Sequence, residues 1–201
     1  MRLATVLTPM SDDNLRLAAQ CGVTDVVHRY PGDDIATLRA ARQRIAAFGM
    51  SLSVVEGYLP IENIKLGRDD GRELTLLKTL IRQMAELDIR LLCYNFMTGT
   101  DWVRTRLDAP ERAGARVTAF DLEEADAAVR LGYRPADRRL DELARELTPA
   151  ALWDQLERLL NELLPVAEEC GVTLAMHPDD PRCPRCSASR ASCTPSKGSS
   201  G

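Results

Sequence analysis

The stretch LLPVAEECGVTLAMHPDDP, residues 163–181, decides how the chain folds. An amphipathic helical run closes on Gly171, an apolar strand follows at once, and the strand runs into a histidine, two aspartates and two prolines. Three earlier segments repeat the pattern: LRLAAQCGVTDVVHR (15–29), IAAFGMSLSVVEG (45–57) and IRQMAELDIRLLCYNF (81–96). In three of the four, a glycine (Gly22, Gly49, Gly171) falls just past the last helical turn. A left-handed residue ends a helix there, and glycine adopts it without a Cβ clash. Asp88 stands at the fourth joint.

The helices follow from period. Ile35, Leu38, Ile45 and Phe48 share one face, as do Leu74, Leu77, Ile81 and Met84. TPAALWDQLERLLNELLPVAEEC (148–170) opens with Thr148 as N-cap and Pro149 at the first helical position, with Leu152, Leu156, Leu159 and Leu163 as its buried stripe. The strands VTDVV, LSVVEG, RLLCYNF and VTLAMH are short and almost continuously apolar, which suits a parallel sheet covered on both faces. With RLATVLT (2–8) they make five strands alternating with helices. Such alternation means α/β, either an open doubly wound sheet or a (β/α)8 TIM barrel. A barrel takes ~250 residues, so this chain is expected to supply about its first five strands. Residues 98–147 read as a long polar insertion, a lid or binding element, in which FDLEEADAAVRLG and RRLDELAREL look helical.

Lys and Arg number 26 against 30 Asp and Glu, a formal charge of −4, which argues against a nucleic-acid binder. No apolar run approaches the ~20 residues of a membrane span, and MRLATVLTPMSDD is not a signal peptide, so a cytoplasmic protein is expected. Cys21, Cys93 and Cys170 sit singly among apolar residues, where a reduced cysteine packs as a small hydrophobe.

Parallel α/β folds place their sites at the carboxyl ends of the strands. Those ends read His28-Arg29-Tyr30, Glu56-Gly57, Tyr94-Asn95-Phe96 and His177-Pro178-Asp179-Asp180. His177, one of only two histidines, suits a metal ligand, a proton carrier or a structural role. Asp179 and Asp180 suit a metal or a turn. Glu56 suits a substrate contact, a proton acceptor or a partner for a neighbouring arginine. Arg104 and Arg106 suit two-point binding of a carboxylate, or solvent.

VVEGYLPIENIKLG (54–67), LLCYNFMTGTDWVRTRL (91–107), RAGARVTAFDL (112–122) and LAMHPDDP (174–181) resemble blocks of mannonate dehydratase, and the likeness covers roughly residues 2–181. The resemblance implies a metal-dependent lyase on a (β/α)8 barrel of the xylose isomerase group. Such an enzyme removes water from D-mannonate to give 2-keto-3-deoxy-D-gluconate in hexuronate (glucuronate) breakdown. It further implies His177 as a ligand of Mn²⁺ or Fe²⁺, with Tyr94, Asn95, Trp102 and Arg104 around the sugar acid, and Glu56 is expected as a substrate contact from its strand-end position. A proton beside a carboxylate is weakly acidic, so a metal must stabilise the enediolate while an acid/base pair moves protons. The family's other ligands and its proton-transfer residues lie on later strands, so the catalytic residues of this chain stay unassigned. A homo-oligomer of the full-length enzyme stays open.

After HPDDP the family continues with a segment like LGLPRIV, whereas this chain reads RCPRCSASRASCTPSKGSSG (182–201). Codons for 181–201 can be chosen so that a shifted frame reads AVPALLGLPRIVHAFEGLVG. The tail is therefore expected to be a frameshift product or disordered, on a truncated chain that is inactive alone. Two rivals remain: a sugar isomerase or epimerase of the same barrel group, and a small zinc module using His177, Cys183, Cys186 and Cys193.

Overall fold

A computed structural model describes residues 1–98, 102–127, 129–131 and 146–178. Contacts divide the described chain into two compact units: residues 1–61, 69–94 and 158–177, and residues 62–68, 95–157 and 178.

The first unit is built on a parallel sheet of β1 (Ala4–Val6), β2 (Asp25–His28), β3 (Ser51–Glu56), β4 (Leu91–Tyr94) and β9 (Thr173–Met176), in that spatial order. Helices α1 (Asp12–Gln20), α2 (Ile35–Ala46) and α4 (Arg72–Glu86) connect the first four strands, and the later turns of α5 (Pro149–Cys170) lead into β9. Side chains ahead of each of these three helices accept from its first-turn amides. Ser11 accepts from the Asn14 amide ahead of α1, Asp34 accepts from Ala36 ahead of α2, and Asp69 accepts from the Glu73 amide in the first turn of α4. The four expected joints all take left-handed backbone: Gly22 at φ 81, Gly49 at 76, Gly171 at 61, and Asp88, a non-glycine, at 57.

Alternation along β3 and β4 separates two faces. Val55 and its register partner Leu92 are buried, while the next pair, Glu56 and Cys93, turns to the opposite, partly open face. Leu92 and Tyr94 share an apolar cavity with Leu77 of α4 and with Leu159 and Leu163 of α5. The expected helix stripes therefore do pack on the sheet. Leu38, Ile45, Leu77, Ile81 and Met84 are essentially inaccessible, each worth about 1.5–3 kcal/mol of burial.

The second unit departs from the expected helical insertion. Strands β5 (Trp102–Arg104) and β8 (Val129–Leu131) form one antiparallel ribbon, and β6 (Arg106–Pro110) and β7 (Arg116–Ala119) another. The second ribbon turns through Ala113 and Gly114, at φ 55 and 76, and Glu111 N donates to Ala115 O across the turn. Within FDLEEADAAVRLG the structure has a 3-10 helix over Leu122–Ala127 and then strand β8. Asp121 accepts from the Glu123 amide and so caps a tight turn rather than a long helix. RRLDELAREL lies, apart from its last two residues, outside the described residues. The unit also holds the one-turn helix α3 (Glu62–Lys65) and the start of α5, whose Thr148 caps Ala151 as its sequence implies.

Candidate active site at the strand ends

In the first unit the chain segments beyond the sheet stay laterally tied. Tyr30 N donates to Gly57 O, Gly57 N to Cys93 O, and His177 N to Tyr94 O at 2.7 Å. Glu56, Tyr94 and His177 thus stand at the ends of three adjacent strands. Their side chains play different parts. Tyr94 is buried on the helix-facing side among leucines, so its carbonyl, which accepts from His177 N, is its link to the strand-end rim. His177 is exposed.

Glu56 is paired. Arg29 Nη1 lies 3.0 Å from Glu56 Oε1, and the guanidinium carbon sits 5.1 Å from the centre of the Tyr58 ring. Two successive left-handed residues, Gly57 at φ 69 and Tyr58 at φ 57, set up this arrangement. A Cβ at Gly57 would meet Arg29 Nη1 at 3.0 Å, so the close approach needs glycine. Of the three roles open to Glu56, pairing with a neighbouring arginine is the one visible in the geometry.

Burial shifts several titratable groups of these strands towards their neutral forms, and Cys93, level with Glu56, is the one beside this pair. Burial raises the Cys93 thiol, the Glu56 charge raises it further, and Arg29 offsets part of the effect. Burial likewise raises the Tyr94 phenol, and it lowers the His28 imidazole against a smaller opposing bond with the Arg29 backbone.

Asn95, Trp102 and Arg104 belong to the second unit. There Lys65 is almost fully enclosed. Its Nζ donates to Met97 O at 2.6 Å and to Asn95 Oδ1 at 3.2 Å, with Glu62 Oε2 at 3.6 Å. Bonding the amide oxygen to an ammonium sets the orientation of the Asn95 side chain. Arg104 Nε donates to Thr118 Oγ1 on the neighbouring ribbon, and Arg106 makes a two-point pair with Glu124. Trp102 pairs through its backbone with Leu131. Asp179, Asp180, Cys183, Cys186 and Cys193 lie outside the described residues.

Arg29 and Tyr58, beside Glu56 in the first unit, and Lys65, beside Asn95 in the second, are residues to which sequence reasoning assigned no role. Arg29 was readable as the residue after a strand-end histidine. The pairing of Lys65 with Asn95 joins residues 30 apart and leaves no local signature.

Among the described residues no three His, Cys, Asp or Glu side chains come close enough to hold a metal ion, so His177 does not make a metal site with them. No described helix is long and apolar enough to cross a membrane.

Comparison with known proteins now adds to this geometry. The family model UxuA, D-mannonate dehydratase, matches residues 8–194. A mannonate dehydratase of Bacillus subtilis (strain 168) is 35% identical over 186 residues, covering 81% of this chain and 52% of that protein. One from Chromohalobacter salexigens is 30% identical, covering 93% and 61%. Among solved structures, mannonate dehydratase from Streptococcus suis serotype 2 superposes with a TM-score of 0.74 at 25% identity, covering 90% of this chain and 54% of that one. A D-psicose 3-epimerase from Clostridium cellulolyticum H10 reaches 0.51 at 13% identity, a likeness of fold alone. The chain spans about half the length of the relatives it matches.

Proposed function

The chain belongs to the D-mannonate dehydratase family, with a fold of the TIM-barrel type, and we propose that it carries the strand-end half of a hydro-lyase acting on a sugar acid. The observation that carries this reading is the family match over residues 8–194. The reaction proposed is removal of water from D-mannonate to give 2-keto-3-deoxy-D-gluconate, in hexuronate breakdown in the cytoplasm.

In this reading Glu56, Asn95, Trp102 and Arg104 contact the sugar acid. Asn95 is oriented by Lys65, and Tyr94 contributes by holding the backbone of His177. His177 is the residue proposed to reach a divalent ion, Mn²⁺ or Fe²⁺. When bound, such an ion stabilises charge developing on the substrate carboxylate. The donors among the described residues do not complete a site for it, so no step is routed through it, and the chain alone is proposed to be inactive. The tail 182–201 stays proposed as a frameshift product, tested by resequencing the gene from the His177 codon onward.

The purified 201-residue chain, incubated with D-mannonate and Mn²⁺, is expected to release no 2-keto-3-deoxy acid. Robust release would overturn the inactivity. Interconversion of ketohexoses would move the reading to an isomerase or epimerase.

A further inference from the structure

We propose that Arg29 is a carboxylate-binding residue at the strand ends of the first unit, and that with Glu56 it reads a hydroxy acid. The proposal rests on the sugar-acid reading above and adds a residue which that reading does not contain.

The guanidinium is held from three sides. Glu56 pairs with Nη1, the Tyr58 ring lies beneath the plane, and Gly57 backs it so closely that a Cβ there would stand 3.0 Å from Nη1. Its contact with Glu56 is a single N–H to a single oxygen, although arginine presents five donors in a fork that fits a carboxylate at two points. Glu56 is its sole ion-pair partner among the described residues. The two side chains keep 24% and 23% of their surface, so a ligand can reach them, yet both are partly withdrawn from water. Charge attraction is stronger there than on an open surface.

A structural ion pair does not require this backbone. Arg2 and Asp25, at the opposite rim of the same sheet, pair without any left-handed residue, whereas two in a row shape the strand end at Glu56. Strain of this kind persists where the surrounding structure enforces it, and it gathers at binding sites.

The charge pattern narrows the ligand. Cys93, level with Glu56 on the same face, is held towards its neutral form, leaving one positive and one negative group side by side. A simple anion drawn to Arg29 is repelled by Glu56. A sugar acid satisfies both, with its carboxylate on the guanidinium fork and a hydroxyl donating to Glu56. A neutral polyol satisfies Glu56 alone.

The test is binding of D-mannonate and of D-mannitol to the 201-residue chain, followed by NMR with a metal chelator present. The wild-type chain is expected to prefer the acid. Arg29→Gln is expected to weaken D-mannonate about tenfold or more while leaving D-mannitol nearly unchanged. Glu56→Gln removes the neighbouring negative charge and is expected to widen the preference. Arg39→Gln, at an exposed pair on α2, serves as the control for loss of any arginine. Should Arg29→Gln not fold, Arg29→Lys decides: a reduced acid preference supports the proposal and an unchanged one overturns it. No preference in the wild-type chain, or an equal loss in Arg29→Gln and Glu56→Gln, also overturns it. The chelator separates the outcomes, because acid preference without metal reports on Arg29 alone, whereas interconversion of ketohexoses once Mn²⁺ is restored strikes the dehydratase reading and leaves the Arg29 result standing.

Discussion

Strand β2 carries an arginine–carboxylate pair at each end, and the two are built to opposite purposes. At its start Asp25 is 2% exposed and accepts from Arg2 Nε at 2.9 Å, from Arg2 Nη2 and from Thr24 Oγ1 at 2.6 Å. Both carboxylate oxygens are occupied by groups from the residue before β2 and the chain before β1. At its other end Arg29 meets Glu56 through one contact, both side chains are reachable, and the backbone beneath is strained. In the lower pair the carboxylate is enclosed and fully occupied, although Arg2 is largely exposed, and its bonds tie adjacent strands together. The upper pair keeps hydrogen-bonding capacity for a third party. In a parallel sheet this asymmetry is expected, since stability collects at one rim and chemistry at the other.

The sharpest way to break this contrast is Asp25→Ala. It removes the buried carboxylate that the Arg2 fork and the Thr24 hydroxyl both donate to, and those exposed donors return to water, so a loss of about 2 kcal/mol is expected in urea unfolding, with the acid preference of the strand ends unaltered. A loss below about 1 kcal/mol would make the two pairs alike.

Gly57→Ala comes next. It meets both the left-handed φ of 69 and the Arg29 guanidinium, and is expected to cost about 1–2 kcal/mol. Gly22→Ala, where nothing lies within 4 Å of the new methyl, should cost only the backbone share. Equal costs would mean that Arg29 moves aside freely.

Acid should separate the two rims further. Burial pushes the Asp25 carboxyl up, but bonds from Arg2, Thr24 and Ser53 together with the Arg2 charge outweigh it and hold it below the usual carboxylate value. An acid lowered on folding contributes stability above its unfolded value of about 4 and loses it as pH falls through the folded one. Burial lowers His28, so the unfolded chain takes up the proton first and stability falls as pH drops below about 6.5. Asp25→Asn should flatten the first limb of a stability–pH profile and His28→Gln the second.

The smallest effect on folding is expected from Glu56→Gln, below about 1 kcal/mol, because a single partly exposed contact contributes little. A loss as large as that of Asp25→Ala would show the upper pair to be structural.

Much of the first unit was legible before any coordinates. The period of Leu77, Ile81 and Met84 marked the face of α4 that is buried, and Gly22, Gly49, Asp88 and Gly171 marked the joints, because single-residue backbone demands are written locally. The second unit was misread where FDLEEADAAVRLG looked helical. The strand in it, β8, forms by pairing with β5 more than twenty residues away, and no local pattern reports that pairing. Among the candidate site residues, Glu56, Tyr94 and His177 were correctly placed at strand ends. The sequence did not say that Tyr94 turns towards the helices while Glu56 turns the other way.

By itself the sequence determined the alternation of helix and strand, the joints between them, and the family to which the chain belongs. Those depend on periodicity, on φ preference and on blocks of residues in order, all carried along the chain. Tertiary structure alone decided which charged groups meet. Arg29 and Glu56 stand 27 positions apart, Arg2 and Asp25 stand 23, and only the register of neighbouring strands makes either pair. Coulomb attraction acts through distance in space and dielectric surroundings, and neither is a property of sequence order.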